Sequence, residues 1–89
     1  MTGDKKIIAE WRRNDRETVR VSLGQFKDQP IVDVRVWWRN DAGELRPSRR
    51  GITLSVRHLP TLARALADAE QNARELGWLP ILKGAPFQN

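Results

Sequence analysis

Apolar and polar residues alternate along the first half of this chain, and the period changes in the second half. Residues 17–26 place Val19, Val21 and Leu23 on one side and Thr18, Arg20, Ser22 and Phe26 on the other. Residues 31–39 repeat the pattern, with Val32, Val34 and Val36 apolar and Asp33 and Arg35 polar. Strict period-two alternation predicts half-buried strands in a sheet with one face to water. A shorter first strand is expected over residues 7–13, ending at Asn14 and Asp15. A fourth is expected over residues 45–54, entered past Pro47 and interrupted by Gly51. Asp28, Gln29 and Pro30 read as one turn, and Asn40, Asp41, Ala42 and Gly43 as the next, because Asn, Asp and Gly tolerate positive φ. Turns this short between consecutive strands predict an antiparallel meander.

From Leu59 the spacing becomes helical: Leu59, Leu62, Leu66, Ala69, Ala73 and Leu76 fall on one stripe. Ser55 is the expected N-cap, Gly77 the stop, and Pro80 a barrier to continuation. Pro60 predicts an irregular start near residues 56–60 and regular helix over residues 60–76. Trp78, Leu79, Ile81 and Leu82 are too apolar for a free tail and are expected to dock on a surface. The predicted class is α+β, a four-stranded antiparallel curved sheet followed by one C-terminal helix, with one sheet face packed and the other open. Residues 1–6 read as an arm, 7–77 as the domain and 78–89 as an apolar extension. The helical seam is longer than one such sheet covers, and exposed contiguous apolar surface marks interfaces, so a homodimer is expected.

Charge sharpens the picture. Sixteen Lys and Arg face eleven Asp and Glu, a net +5. The whole excess lies in residues 1–58, where the strands are, and most of it is arginine. An Arg-rich balance on one structural layer favours a polyanionic partner, against the alternative of a basic domain that binds nothing specific. Cys is absent, which excludes a disulfide framework and thiolate metal sites. His58 is the only histidine and the carboxylates are scattered among arginines, so neither catalysis nor a cofactor is expected. No apolar run approaches the roughly 18 residues of a membrane span, and the first residues lack a signal peptide's apolar segment, so a cytoplasmic, nucleoid-associated protein is expected.

The candidate chemistry sits between Pro30 and Leu54, where two tryptophans and a run of arginines lie on strands. Guanidinium groups neutralise phosphate, and aromatic rings offer faces on which bases stack. The competing reading is a solvated hairpin with two half-buried core tryptophans. Phe26 falls on the polar side of its strand, where an aromatic ring has no packing purpose. Arg35 shares a face with Asp33, so an ion pair within the sheet competes with a phosphate contact. Arg49 and Arg50 follow a Pro-Ser turn, either projecting towards a passing backbone or merely solvating the turn. Alternation puts Trp38 with the valines and turns Trp37 outwards. Trp11 and Trp78 read as packing residues.

The order of four strands and a helix, with V-D-V-R-V-W-W in the third strand and G-E-L-R-P-S-R-R-G-I-T-L in the fourth, resembles the transcriptional coactivator p15 (PC4) family. The resemblance runs over about residues 8 to 66, is strongest from Phe26 to Leu54, and is closest to the short bacterial members. It implies a homodimer whose sheets form grooves for single-stranded DNA, bound with little sequence preference. Carried over residue by residue, it makes Phe26 and Trp38 the base-stacking positions. Lys27, Arg35, Arg46, Arg49 and Arg50 match phosphate-contacting positions, and Arg12, Arg13, Arg16 and Arg20 lie near further basic positions. Trp38 and the alternation rule conflict, and a β-bulge or strong twist near the end of the third strand would reconcile them. The long Ser- and Lys-rich N-terminal region of the eukaryotic coactivators has no counterpart here.

The expected function is therefore non-catalytic, largely sequence-independent single-stranded DNA binding, in transcription regulation or in replication and repair. Two alternatives stay open: a protein-interaction module with an incidental basic sheet, and an RNA-binding protein.

Overall fold

The computed structural model describes residues 5–80. It divides into two compact units, one running to Leu59 and the other starting at Pro60. The first unit is a single antiparallel meander of β1 (Lys6–Arg12), β2 (Glu17–Phe26), β3 (Gln29–Arg39) and β4 (Leu45–Ser55), in that spatial order. A 3₁₀ turn over Val56–His58 leads into α1 (Leu59–Glu75). The predicted class and element order hold, with strand ends differing by one or two residues.

Three turns set the meander. At the first, the Asn14 side-chain oxygen accepts from the backbone N–H groups of Arg16 and Glu17, both at 2.9 Å. At the third, Asn40 does the same for Ala42 and Glu44, also at 2.9 Å, while Gly43 supplies a φ of 85°. The second turn is not where composition put it. Its two tip residues are Lys27 and Asp28, with φ of 52° and 64°, and Phe26 pairs with Gln29 across it. Two consecutive positive φ values make the mirror-image hairpin turn whose twist suits the strands, usually built with glycine. Gln29 and Pro30 thus belong to β3. Pro30 is tolerated there because β4 begins to pair only opposite Ile31, so its missing N–H breaks no ladder on that side.

β2 and β3 pair in unbroken register over their whole shared length, from Glu17 opposite Trp38 to Phe26 opposite Gln29. β4 is less regular. Its register shifts between the partners of Arg35 and Trp37, which are Gly51 and Pro47, so that Ser48, Arg49 and Arg50 face Val36 alone. The Ser48 hydroxyl donates to the Val36 carbonyl at 2.7 Å and accepts from the Arg50 backbone N–H at 3.0 Å, closing this bulge from within.

On the valine side, Val32 is the one buried apolar side chain among the described residues. Val19, Val21, Leu23, Val34 and Val36 are half-buried, while Ile52 is exposed. Trp11, expected to pack, is 53% exposed. The opposite face buries two polar residues, Ser22 and Asp33, which are cross-strand partners.

In the second unit, α1 ends as its sequence suggests. Gly77 has a φ of 83°, its N–H donates to the Arg74 carbonyl at 3.0 Å, and the Trp78 N–H donates to the Ala73 carbonyl at 2.8 Å. These are the paired bonds of a left-handed helix stop. Ser55 caps the 3₁₀ turn, accepting from Arg57, rather than α1 itself. None of the helix residues is buried, and Leu66 and Leu76 are each 60% exposed. Trp78 is 76% exposed, against the expectation that it packs; Ile81 and Leu82 lie outside the described residues. No described helix is long and apolar enough to cross a membrane.

Gly51 is required by close approach rather than by a turn. A Cβ there would stand 2.6 Å from the Val34 carbonyl oxygen and 2.8 Å from the Arg35 Cα, both backbone atoms that cannot swing aside. Gly51→Ala should therefore destabilise the sheet by about 1–3 kcal/mol, the usual cost of overpacking a fixed site. A urea midpoint equal to that of the unaltered protein would contradict this close packing.

Candidate nucleic-acid interface

The unbroken β2–β3 register decides which side chains share a face. Thr18, Arg20 and Ser22 lie opposite Trp37, Arg35 and Asp33. Across the other ladder Asp33 meets Thr53, Arg35 meets Gly51 and Trp37 meets Pro47. One face is therefore polar and aromatic. Phe26, Ile31, Asp33, Arg35, Trp37, Pro47 and Thr53, with Lys5, line an open cavity of about 390 Å³ on it. From Gln29 to Trp37 this face runs roughly 26 Å, at about 3.3 Å per strand residue.

Its floor is a closed hydrogen-bond network. Arg35 Nε donates to Asp33 Oδ2 at 3.1 Å, and Nη2 donates to Asp33 Oδ1 at 2.8 Å and to Thr53 Oγ1 at 3.0 Å. Thr53 Oγ1 in turn donates to Asp33 Oδ1 at 2.6 Å, and Arg35 Nη1 donates to the Ser48 carbonyl at 3.0 Å. Four of the five guanidinium N–H groups are thereby engaged. Burial alone would raise the Asp33 pKa. The hydrogen bonds from Arg35 and Thr53, with the charges of Arg35 and Lys5, outweigh it and hold the carboxyl below its ordinary value. Arg35 is raised by the same pairing, against its own desolvation. The ion pair that competed with a phosphate contact is thus present, and through Ser48 it braces the bulge that carries Arg49 and Arg50.

At one end of this face Phe26 is 62% exposed, with Lys27 Nζ 5.4 Å from its ring centre. At the other end the Arg20 guanidinium lies 4.2 Å from the Trp37 ring centre and donates to Glu10 at 2.9 Å. Arg20 is thus a brace for an indole, with its side chain only 16% exposed. Arg12 shares this face by register and makes a loose 3.6 Å pair with Asp15.

Trp38 is placed otherwise. No shift interrupts β3 against β2, and the irregularity lies in β4, so Trp38 stays on the valine side while Trp37 faces the cavity. Trp38 is nevertheless 42% exposed, opposite Glu17 on β2 and Arg46 on β4. Arg46 pairs with Glu44 at 3.0 Å, and Arg16 with Asp41 at 3.5 Å. Both Arg13 and Arg50 pair with Glu17. Among the described residues Arg49 is exposed and makes neither an ion pair nor a side-chain hydrogen bond. Eight of the eleven predicted site residues therefore fall into two groups. Phe26, Lys27, Arg35 and Arg20 line the polar face, while Trp38, Arg46, Arg13 and Arg50 gather at one end of the valine side. The alternation pattern already pointed to Trp37; Glu17, Ser48 and Thr53 carried no local signal. Among the described residues no cluster of three or more His, Cys, Asp or Glu could hold a metal ion.

The family model for transcriptional coactivator p15 (PC4) matches residues 13–65, well over half of the chain. The chain belongs to the PC4 family. A PC4 homologue from Burkholderia pseudomallei superposes with a TM-score of 0.69 at 24% identity, over 79% of this chain and 95% of that one. The bacteriophage T5 homologue, implicated in recombination-dependent DNA replication, gives 0.59 at 21% identity, over 84% and 98%. MoSub1, crystallised as a DNA complex with a novel binding mode, gives 0.61 at 26% identity, over 83% and 90%. The matched segment includes β2, β3, β4 and both groups of basic and aromatic residues.

Because the folded pKa of Asp33 is depressed, the unfolded chain takes up its proton first as pH falls. The stability that this carboxylate contributes is present above about pH 4 and is lost as pH drops through its folded pKa. Asp33→Asn should lower stability at neutral pH and flatten the acid limb of a stability–pH curve followed by circular dichroism. An acid limb unchanged by the substitution would show that the network is not held by charge.

Proposed function

We propose that this PC4-family protein is a non-catalytic homodimer that binds single-stranded DNA with little sequence preference along the polar face of its sheet. The observation that carries the reading is the cavity lined by the exposed Phe26 ring and the Trp37 indole, with Lys27 beside the Phe26 ring. Stacking rings reach a base face only when the base is unpaired, which favours single strands over duplex. Phe26 and Lys27 grip one end of the strand, and Trp37 lines the other. Arg49 supplies phosphate contact from the bulge, and Arg35 adds its one remaining N–H while it braces that bulge. Trp38, Arg46, Arg13 and Arg50 receive the strand where it leaves the cavity.

Dimerisation is supported by how little one chain buries. One buried apolar side chain among the described residues is too thin a core for a stable domain, and the helical seam with Leu66 and Leu76 offers apolar surface for a second copy. The DNA complex of MoSub1 and the replication link of the phage homologue support DNA as the partner and a role in transcription, replication or repair.

A competition titration with single-stranded DNA, duplex DNA and RNA of equal length tests the reading. Single-stranded DNA should compete best, and the gain over duplex should hold across base sequences. Lys27→Ala combined with Arg49→Ala should flatten the slope of log K against log salt by about 1.4, at roughly 0.7 per phosphate on a single strand. Equal competition by duplex would contradict stacking as the mechanism, and no binding at all would leave the protein-interaction reading in its place.

A further inference from the structure

Glu17 does something that neither strand formation nor the cavity requires. Its position is already set by the backbone: the Arg13 and Asn14 N–H groups donate to its carbonyl, and its own N–H donates to Asn14 Oδ1. Its side chain adds one bond within the turn, from Asn14 Nδ2, and otherwise reaches beyond it. It is nevertheless only 19% exposed, and both carboxylate oxygens are occupied. Oε1 accepts from Arg13 Nη1 and from Asn14 Nδ2, and Oε2 accepts from Arg50 Nη2. The hydrogen bond from Arg50, first among several causes, holds the carboxyl below its ordinary pKa.

Two guanidiniums converging on one oxyanion is the arrangement that also binds a phosphate diester. The two arginines come from separate parts of the fold, one from the end of β1 and the other from the β4 bulge. Their side chains remain 50% and 55% exposed, so each keeps N–H groups facing water. Beside them, directly across the ladder from Glu17, stands the half-exposed indole of Trp38. A phosphate site and a stacking ring therefore lie together, with a carboxylate already in the anion's place.

We infer that Glu17 is an internal competitor where the strand meets Arg13, Arg50 and Trp38, a carboxylate which an incoming phosphate must displace. This rests on the single-stranded DNA reading and adds to it. The Arg13–Glu17–Arg50 group carries one net positive charge while Glu17 is bound and offers two once it is displaced. Glu17 thereby weakens the grip on any one nucleotide and biases the protein towards strands long enough to engage the polar face as well.

The test is binding of an oligothymidylate strand by the full chain as a function of salt. Glu17→Gln, which keeps the shape and removes the charge, should bind about three- to fivefold more tightly, the scale of an exposed ion pair. Its salt slope should steepen by about 0.7, one further phosphate. Asp15→Asn is the control, since Asp15 is fully exposed in the same turn, touches neither Arg13 nor Arg50, makes only a loose 3.6 Å pair with Arg12, and changes the net charge equally. Glu17→Asp retains the charge but shortens the reach, and should also tighten binding. In an Arg13→Ala, Arg50→Ala background the gain from Glu17→Gln should vanish. Equal gains from Glu17→Gln and Asp15→Asn, or a gain that survives loss of both arginines, would overturn the inference while leaving the cavity reading intact. Failure of the unaltered protein to bind would overturn both.

Discussion

The unbroken pairing of β2 with β3 is the constraint on which the rest of the structure depends. A one-residue slip would exchange the two faces of the sheet, because side chains alternate with a period of two. With the register held from Glu17 to Phe26, every valine of both strands falls on one side and every residue of the cavity on the other. The same register separates the two neighbouring tryptophans. Trp37 is directed to the polar face beside Arg20, and Trp38 to the valine side beside Glu17 and Arg46. Irregularity is confined to the two edge strands, a register shift between Ile7 and Ala9 in β1 and the larger bulge in β4. In β4 three residues can bulge without disturbing a further strand.

That division of labour sorts the arginines into two kinds. Some are structural. Arg35 is nearly saturated by Asp33, Thr53 and Ser48, and Arg20 is spread over an indole and tied to Glu10. Others keep their charge available: Lys27 at a hairpin tip and Arg49 on a bulge are presented by backbone geometry and held by no carboxylate among the described residues. Arg13 and Arg50 stand between, paired with an acid yet still facing water. A net charge of +5 therefore overstates what a phosphate backbone meets on the polar face. It also understates how firmly the available charges are positioned, since Asp33 fixes Arg35 and Arg35 fixes the bulge.

Much of this was legible in the sequence, and the failures have identifiable causes. Alternation is a local signal, so β2 and β3 and their two faces could be read directly, as could the helix with its glycine stop. Phe26 stood out because an aromatic ring broke a polar face. The second turn was misplaced because Lys27 and Asp28 adopt positive φ without glycine to announce it. Trp38 was assigned by family pattern and Trp37 by alternation; the backbone follows alternation, since the bulge that would have reconciled them lies in the partner strand. Glu17 was invisible as a site residue because the arginine that completes its pairing lies 33 positions away. Large apolar side chains usually pack, which is what Trp11 and Trp78 suggest in sequence, yet a single chain leaves both exposed.

The central claim is that a nucleic-acid strand lies along the polar face, leaving it only at the Trp38 end, and does not cross the central valines. Backbone amide chemical shifts, followed by NMR as a short single-stranded DNA is added, test it most directly. The account predicts the largest changes at Phe26, Lys27, Ile31, Thr53 and the Ser48–Arg50 bulge, with the indole N–H of Trp37 moving and that of Trp78 unmoved. Changes concentrated at Val19, Val21, Ile52 and Leu54, with the cavity residues unmoved, would contradict it.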